Sequence, residues 1–307
     1  MDESKRIAAN APRIEGLTYT ERKKTNVFTK NAPSVEFNIR NNYVPVPLFG
    51  VLPFVSKLWF AQGDQGNDVV ANFHQDISAM VQKIKESSTI DLWMHGYNVN
   101  QKSSLRFREK MTENLRVKQN YRNLNAGISW SSDMGNNFIM KMLYFKRSVE
   151  SADMSWPAFK TVETFLKTIN PEIKINATTY SLGIRPSLNA ANNGVKFGTV
   201  IAILPAIDRN SFNPGGEFEK ALENIDRLII VYSRRQEFIF GFMYRITMFS
   251  TSIGQYGPPK GFSHPKITFI DGTREKYNGL QLNIKNHFDY HDPETIKLIA
   301  DYLRGIK

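Results

Sequence analysis

From residue 89 onward the chain alternates short apolar runs with amphipathic stretches, and this alternation restricts the fold more than any single motif does. Thr89 to Met94, Asn125 to Trp130, Ile173 to Tyr180, Gly198 to Pro205, Arg227 to Tyr232 and Lys266 to Ile270 read as strands, being short apolar runs of strand length. Between them, Ser103 to Gln119, Trp156 to Thr168, Leu182 to Asn193 and Gly216 to Ile225 carry apolar residues at helical spacing. Asp292 to Arg304 closes the chain as a helix, with Asp292 as N-cap, Pro293 in the first helical position and Glu294 in the first turn. Strands joined through helices lie parallel, because each crossover passes over one face of the sheet with a fixed right hand. The expected fold is therefore α/β, a mainly parallel central sheet with helices on both faces. Ligands of such sheets bind beyond the carboxyl ends of the strands.

The N-terminal part is less regular. Residues 1–33 are polar and charge-rich with no sustained period, and read as an arm. Ser34 to Arg40 alternates as a half-buried strand through Val35, Phe37 and Ile39, Ser56 to Ala61 reads as another strand, and Asn67 to Lys85 has a helical pattern. At 307 residues one large domain over 34–307 is expected, with insertions near 134–156 and 238–265. Both insertions are rich in aromatic residues and methionine, suited to an acyl pocket or lid and equally to core packing.

Composition narrows the chemistry. The chain contains no cysteine, which removes disulfides, thiolate metal sites and cysteine nucleophiles. No His/Asp/Glu cluster has ligand spacing, so neither a metal nor an organic cofactor is expected. The start Met-Asp-Glu-Ser-Lys-Arg is followed by no apolar signal segment. Val44 to Ala61, the most apolar window, is interrupted by Pro45, Pro47, Pro53 and Lys57, which does not suit a membrane span. A cytoplasmic setting is the default. The formal net charge of +11 favours anionic partners, including an anionic membrane surface. Its dispersal, with no nucleic-acid-binding motif, speaks against nucleic acid.

The chemistry concentrates at Thr179-Tyr180-Ser181-Leu182-Gly183. A serine ending an apolar strand, with glycine two residues later and a helix directly behind, has the shape of a nucleophile elbow. Residues two before and two after the serine are small there, because strand and helix approach closely. Gly183 meets that demand and Thr179 meets it in part. A nucleophilic Ser181 needs a base, an acid to orient the base, and an oxyanion hole. The five histidines are His74, His95, His264, His287 and His291. His287 follows the last strand and precedes the closing helix, which makes it the favoured base over the neighbouring His291 on position alone. For the acid, Glu237 follows the strand ending at Tyr232, and Asp208 follows the strand ending at Pro205 and is held in reserve, with a turn role as its alternative. His95-Gly96-Tyr97-Asn98 ends a strand where one half of an oxyanion hole is built, its donor the Tyr97 N–H. The other donor is the N–H of Leu182, at a helix N-terminus whose dipole favours negative charge. His95 itself reads as a scaffold residue.

Together, Trp93-Met94-His95-Gly96-Tyr97-Asn98, Ser129-Trp130-Ser131-Ser132, Tyr180-Ser181-Leu182-Gly183, Leu204-Pro205 with Asp208, Tyr232 to Glu237, and His287 resemble the α/β-hydrolase superfamily. The resemblance is nearest to a bacterial branch of serine-hydrolase-like domains of unknown function, and covers about residues 85 to 305. It implies Ser181 as nucleophile, His287 as base and Glu237 at a place usually filled by Asp. The implied activity is that of a serine esterase acting through an acyl-enzyme, with lipid or acyl esters favoured by the aromatic insertions and the basic charge. Tyr180 stands where the branch has His, Thr179 where a smaller residue is usual, and Pro186 falls early in the helix behind the serine. These departures motivate the alternative, a catalytically inactive binding protein of the same fold.

Overall fold

Parallel pairing runs through the middle of the molecule. The computed structural model describes residues 17–21, 34–38, 43–47, 59–63, 69–73, 77–97, 99, 111, 113–115, 119–121, 123–130, 132, 138–234, 244–273, 276–277, 280–281 and 293–306. A nine-stranded sheet has the order β1 (Leu17–Glu21), β5 (Val69–Phe73), β2 (Ser34–Asn38), β7 (Leu124–Ser129), β6 (Thr89–Met94), β8 (Lys174–Tyr180), β9 (Phe197–Ile203), β10 (Ile225–Tyr232), β11 (Ile267–Asp271). Every neighbouring pair is parallel except β2 with β5. Two antiparallel ribbons stand apart, β3 (Tyr43–Pro47) with β4 (Trp59–Gly63) and β12 (Lys276–Tyr277) with β13 (Leu280–Gln281).

Period-two alternation in the central strands divides the core in two, because successive side chains leave opposite faces of a strand. Ile90, Leu92 and Met94 of β6, Ile175 and Ala177 of β8, Val200 and Ala202 of β9, and Leu228 and Ile230 of β10 enter one apolar layer. Helices α1 (Ile77–Glu86), α2 (Phe138–Met154), α3 (Trp156–Ile169) and α4 (Ile184–Asn192) supply Met80, Phe145, Phe159 and Leu188 to the same layer. Trp93, Tyr180, Ile201, Ile203, Ile229 and Val231 point the other way, onto Met111, Tyr121 and the apolar side of α6 (Pro293–Leu303), which follows the four-residue α5 (Ile253–Tyr256). Covering both faces explains why β6 and β8 are almost wholly buried rather than half-exposed.

The structure bears out the α/β class and changes several elements. Within the segment read as a polar arm, Leu17–Glu21 forms an edge strand paired with β5. The pattern taken for one helix over 67–85 is a strand followed by a helix: Val69–Phe73 pairs on both sides, and only Ile77–Glu86 is helical. The β-branched Val69-Val70 pair favours the strand, and the helical spacing of its apolar residues hid that preference. Met134 to Trp156, read as an insertion, contains the 17-residue α2. Pro157, without an N–H for the carbonyl four residues back, marks the break between α2 and α3. Gly216 to Ile225 forms turns and a short 3-10 segment, Lys220–Asn224, because β10 already begins at Ile225 and leaves no length for an α-helix. Most of 103–119 lies outside the described residues, as does Asp292.

One carboxyl lies inside the sheet. Asp91, in the third position of β6, has no exposed surface and accepts hydrogen bonds from Tyr121 Oη at 2.6 Å and Asn176 Nδ2 at 3.0 Å. Asn176 Oδ1 accepts the Thr199 N–H at 2.9 Å, which ties β6, β8 and β9 together. Burial raises the Asp91 carboxyl from 3.8 to about 6, opposed by the bonds from Tyr121 and Asn176. The folded value lies above the unfolded one, so the contribution is fully present below about pH 4 and is lost as pH rises through 6, a cost of about 3 kcal/mol at neutral pH. Asp91→Asn cannot ionise and carries a pH-independent penalty for its mismatched amide. Urea unfolding of both proteins is expected to show the variant gaining about 2 to 3 kcal/mol on the parent between pH 4 and pH 7.5; a pH-independent difference would refute the assignment.

Candidate active site

Strand β8 stops abruptly. Tyr180 is still extended at φ −126° and ψ 131°, Ser181 turns to φ +52°, and the 3-10 turn Ser181–Gly183 leads straight into α4. A non-glycine residue in the left-handed region is strained, and a serine held there between strand and helix is the geometry of a nucleophile elbow. Gly183 explains how the turn closes: a Cβ at that position would lie 2.3 Å from the His95 carbonyl oxygen and 3.1 Å from that of Met94. The start of the helix is thus pressed against the end of β6, and only glycine fits. Gly96 sits in a tight but less demanding place, and its φ is not positive. A Cβ there would stand 3.0 Å from Ser181 Cβ and 3.1 Å from the Tyr180 carbonyl oxygen.

The departures at Thr179 and Pro186 are accommodated. Thr179 is buried and its hydroxyl donates to the Ile201 carbonyl of β9 at 3.2 Å, so the extra atoms are absorbed sideways into the sheet. Pro186 is the third residue of α4, within the first turn, where the N–H that proline lacks has no intrahelical partner. Behind the serine, the Ala206 N–H donates to the Ser181 carbonyl at 3.1 Å and links the elbow to the loop after β9.

The His95-Gly96-Tyr97 segment runs alongside. His95 is buried and stacks on Trp130 at 5.5 Å between ring centroids. Its Nε2 accepts the Trp130 N–H at 3.3 Å, which leaves the ring proton on Nδ1 to donate to the Gly96 carbonyl at 2.9 Å. Trp130 Nε1 donates back to the His95 carbonyl at 2.9 Å. Ser132 Oγ accepts the Val99 N–H and donates to its carbonyl, both at 3.2 Å, which fastens the loop to the end of β7. This scaffold holds Tyr97 beside the elbow. The Tyr97 ring meets Phe145 of α2 edge-on at 5.3 Å, Phe145 meets Tyr244 at 6.0 Å, and burial raises the Tyr97 and Tyr244 phenols. Leu182 is fully buried directly after the serine.

Of the expected base and acids, His287, His291 and Glu237 lie outside the described residues. Asp208 is described: its Oδ1 accepts the Asn210 N–H at 2.6 Å, its Oδ2 accepts the Ser250 hydroxyl, and its backbone bridges Ser252. That is an Asx turn with both carboxylate oxygens engaged.

Sequence reading missed an ionic cluster behind the elbow. Arg185, the second residue of α4, is 2% exposed. Its Nε and Nη2 hold Asp153 of α2 at 2.7 and 2.8 Å, and Nη1 reaches Glu217 at 3.2 Å. Asn189 Nδ2 donates to Asp153 at 2.7 Å, and the guanidinium lies 5.1 Å from the centroid of the Phe218 ring. Desolvation opposes the arginine's charge, but its two carboxylates outweigh it and raise the pKa further; desolvation also raises the Asp153 carboxyl despite Arg185. One signal was present in the sequence, an arginine amid the small and apolar residues of α4. Among the described residues, no group of three His, Asp or Glu side chains is placed to hold a metal ion, and no helix is long and apolar enough to cross a membrane.

Parallel strand order, a serine strained between the central strand and its helix, and helices on both faces constitute an α/β-hydrolase fold. Searches of solved structures find a serine hydrolase without a lid from Xanthomonas campestris at 11% identity, covering 72% of this chain and 83% of that one with a TM-score of 0.42. They also find a predicted hydrolase from Thermoplasma acidophilum at 11% identity, covering 76% and 90% with a TM-score of 0.37. An esterase from Pyrococcus furiosus is similar at 12% identity, covering 72% and 81% with a TM-score of 0.36. No family model and no curated protein matches the chain.

Proposed function

We propose that the protein is a serine hydrolase of carboxylic esters and that Ser181 is its nucleophile. The observation that carries this reading is the elbow itself: a buried serine at φ +52°, kept there by the close approach of Gly96 and Gly183 to their neighbours. Strain of this kind persists only where the surroundings over-determine it, and it aims a side chain rather than stabilising a fold. His287 accepts the Ser181 hydroxyl proton as Oγ bonds to the ester carbonyl carbon, and Glu237 fixes the imidazole tautomer. The Tyr97 and Leu182 N–H groups hold the oxyanion. Collapse of the tetrahedral species breaks the acyl–oxygen bond, and His287 returns the proton to the departing alcohol. Water, deprotonated by the same histidine, then releases the acid and restores Ser181. An acyl or lipid ester is the substrate class favoured by the aromatic and methionine-rich segments 134–156 and 238–265 and by the net charge of +11.

The accommodation of Thr179 and Pro186 favours this reading over an inactive binding protein, since neither residue distorts the turn. A fluorophosphonate probe separates the two. The expected result is covalent labelling of the parent and its complete loss in Ser181→Ala. An unlabelled parent, or labelling that survives the substitution, would overturn the assignment.

A further inference from the structure

Residues 244–248 form a helical turn with two unlike sides. Tyr244 is buried and Met248 packs against the main core, whereas Arg245 and Ile246 face outward, Ile246 at 43% exposure. Phe249 follows at 93% exposure with φ +52°. A bulky aromatic residue in the left-handed region is a strained outlier, and here the ring gains almost no packing in return. The chain on its C-terminal side enforces the conformation. The Ser250 hydroxyl donates to Asp208, the Arg209 N–H donates to the Thr251 carbonyl at 3.0 Å, and Ser252 Oγ donates to the Pro205 carbonyl at 2.8 Å. The neighbouring Ala206 is the residue whose N–H holds the Ser181 carbonyl. The projecting ring is therefore built onto the same loop that supports the elbow.

Charge points to the occupant. Between Glu237 and Asp271 the sequence has no acidic residue and carries Arg245, Lys260 and Lys266, in a chain of net charge +11. Asp208, which the Ser250 hydroxyl contacts directly, has its other carboxylate oxygen engaged by the Asn210 N–H. Two apolar side chains fall far short of the roughly 1,200 Å² that a stable protein interface buries. They suit a fluid anionic surface, where a few inserted apolar groups act together with long-range attraction.

We propose that Phe249, with Ile246 and Arg245, is a prong that docks the protein on an anionic phospholipid bilayer and holds the Ser181 elbow beside it. Docking as such is independent of catalysis; its use, delivery of a lipid ester to Ser181, rests on the hydrolase reading.

Co-sedimentation with vesicles of phosphatidylcholine alone, and of phosphatidylcholine mixed with phosphatidylserine, tests this on the full chain. The parent is expected to bind the mixed vesicles and not the neutral ones. Phe249→Ala should weaken that binding about tenfold, Phe249→Leu should retain most of it, and Arg245→Gln should weaken it more at low salt than at high salt. Phe249→Gly, which relieves the backbone, should melt no lower than the parent while binding as poorly as Phe249→Ala. Equal binding by parent and Phe249→Ala, or no binding by the parent, overturns the proposal. So does a parent that is dimeric by light scattering and becomes monomeric on Phe249→Ala, which would make the occupant a second copy. Hydrolysis of the soluble ester p-nitrophenyl acetate reports separately on Ser181: vesicle binding without it leaves the docking intact and removes the hydrolase reading, and the reverse result does the opposite.

Discussion

His287→Ala is expected to lower kcat for p-nitrophenyl ester hydrolysis as far as Ser181→Ala does, by on the order of 10^6-fold, because members of a triad act as a unit. His291→Ala should be milder. The same assay decides the acid. Glu237→Gln should cost about 10^4-fold, since the amide favours the wrong imidazole tautomer and cannot stabilise imidazolium. Asp208→Asn should change kcat little, because both Asp208 oxygens already serve the turn through Asn210 and Ser250. A crippled Asp208→Asn beside a near-normal Glu237→Gln would exchange the two roles, and a harsher loss from His291→Ala would move the base.

The second large effect concerns stability. Arg185 is 3% exposed at its side chain, whereas its partners Asp153 and Glu217 are 32% and 45% exposed. The two ways of breaking the cluster are therefore unequal. Asp153→Ala with Glu217→Ala leaves a buried guanidinium without a counter-charge, which is expected to cost about 3 to 5 kcal/mol in urea unfolding. Arg185→Met removes the charge, keeps most of the volume against Phe218 and leaves two acids that water can reach, so its cost should be about 1 to 3 kcal/mol. Adding Arg185→Met to the double alanine variant should then recover much of the loss. A double variant as stable as the parent would show that the cluster contributes nothing.

These two predictions draw on different kinds of information. The proposed triad could be named from sequence because catalysis demands particular residue types at particular points of the chain, and of its members Ser181 lies among the described residues. Ser181 before Leu182 and Gly183, a histidine after the last strand and an acid after the preceding one form a pattern in one dimension. The Arg185 cluster was not legible, since Asp153, Arg185 and Glu217 are each 32 residues from the next and nothing local marks them as partners.

The α/β class came from sequence alone because alternating strands and helices admit only parallel crossovers, and the split of the central strands into two apolar layers follows from the same period of two. Gly183 could be read from the elbow pattern, whereas the close approach of Ser181 Cβ and the Tyr180 carbonyl to Gly96 is visible only in the folded chain. The strand at Val69–Phe73 and the 3-10 turn at Lys220–Asn224 were misread as helices because their apolar spacing is local, while the strand partners and the start of β10 that decide them are not. Thr179 looked unfavourable until its hydroxyl met the Ile201 carbonyl, and Asp91 gave no sign of burial until three strands enclosed it. Sequence determines what each segment prefers and which chemistry it carries. Tertiary structure decides which side chains meet, because close packing and the hydrogen bonds of buried polar groups are settled between segments far apart in the chain.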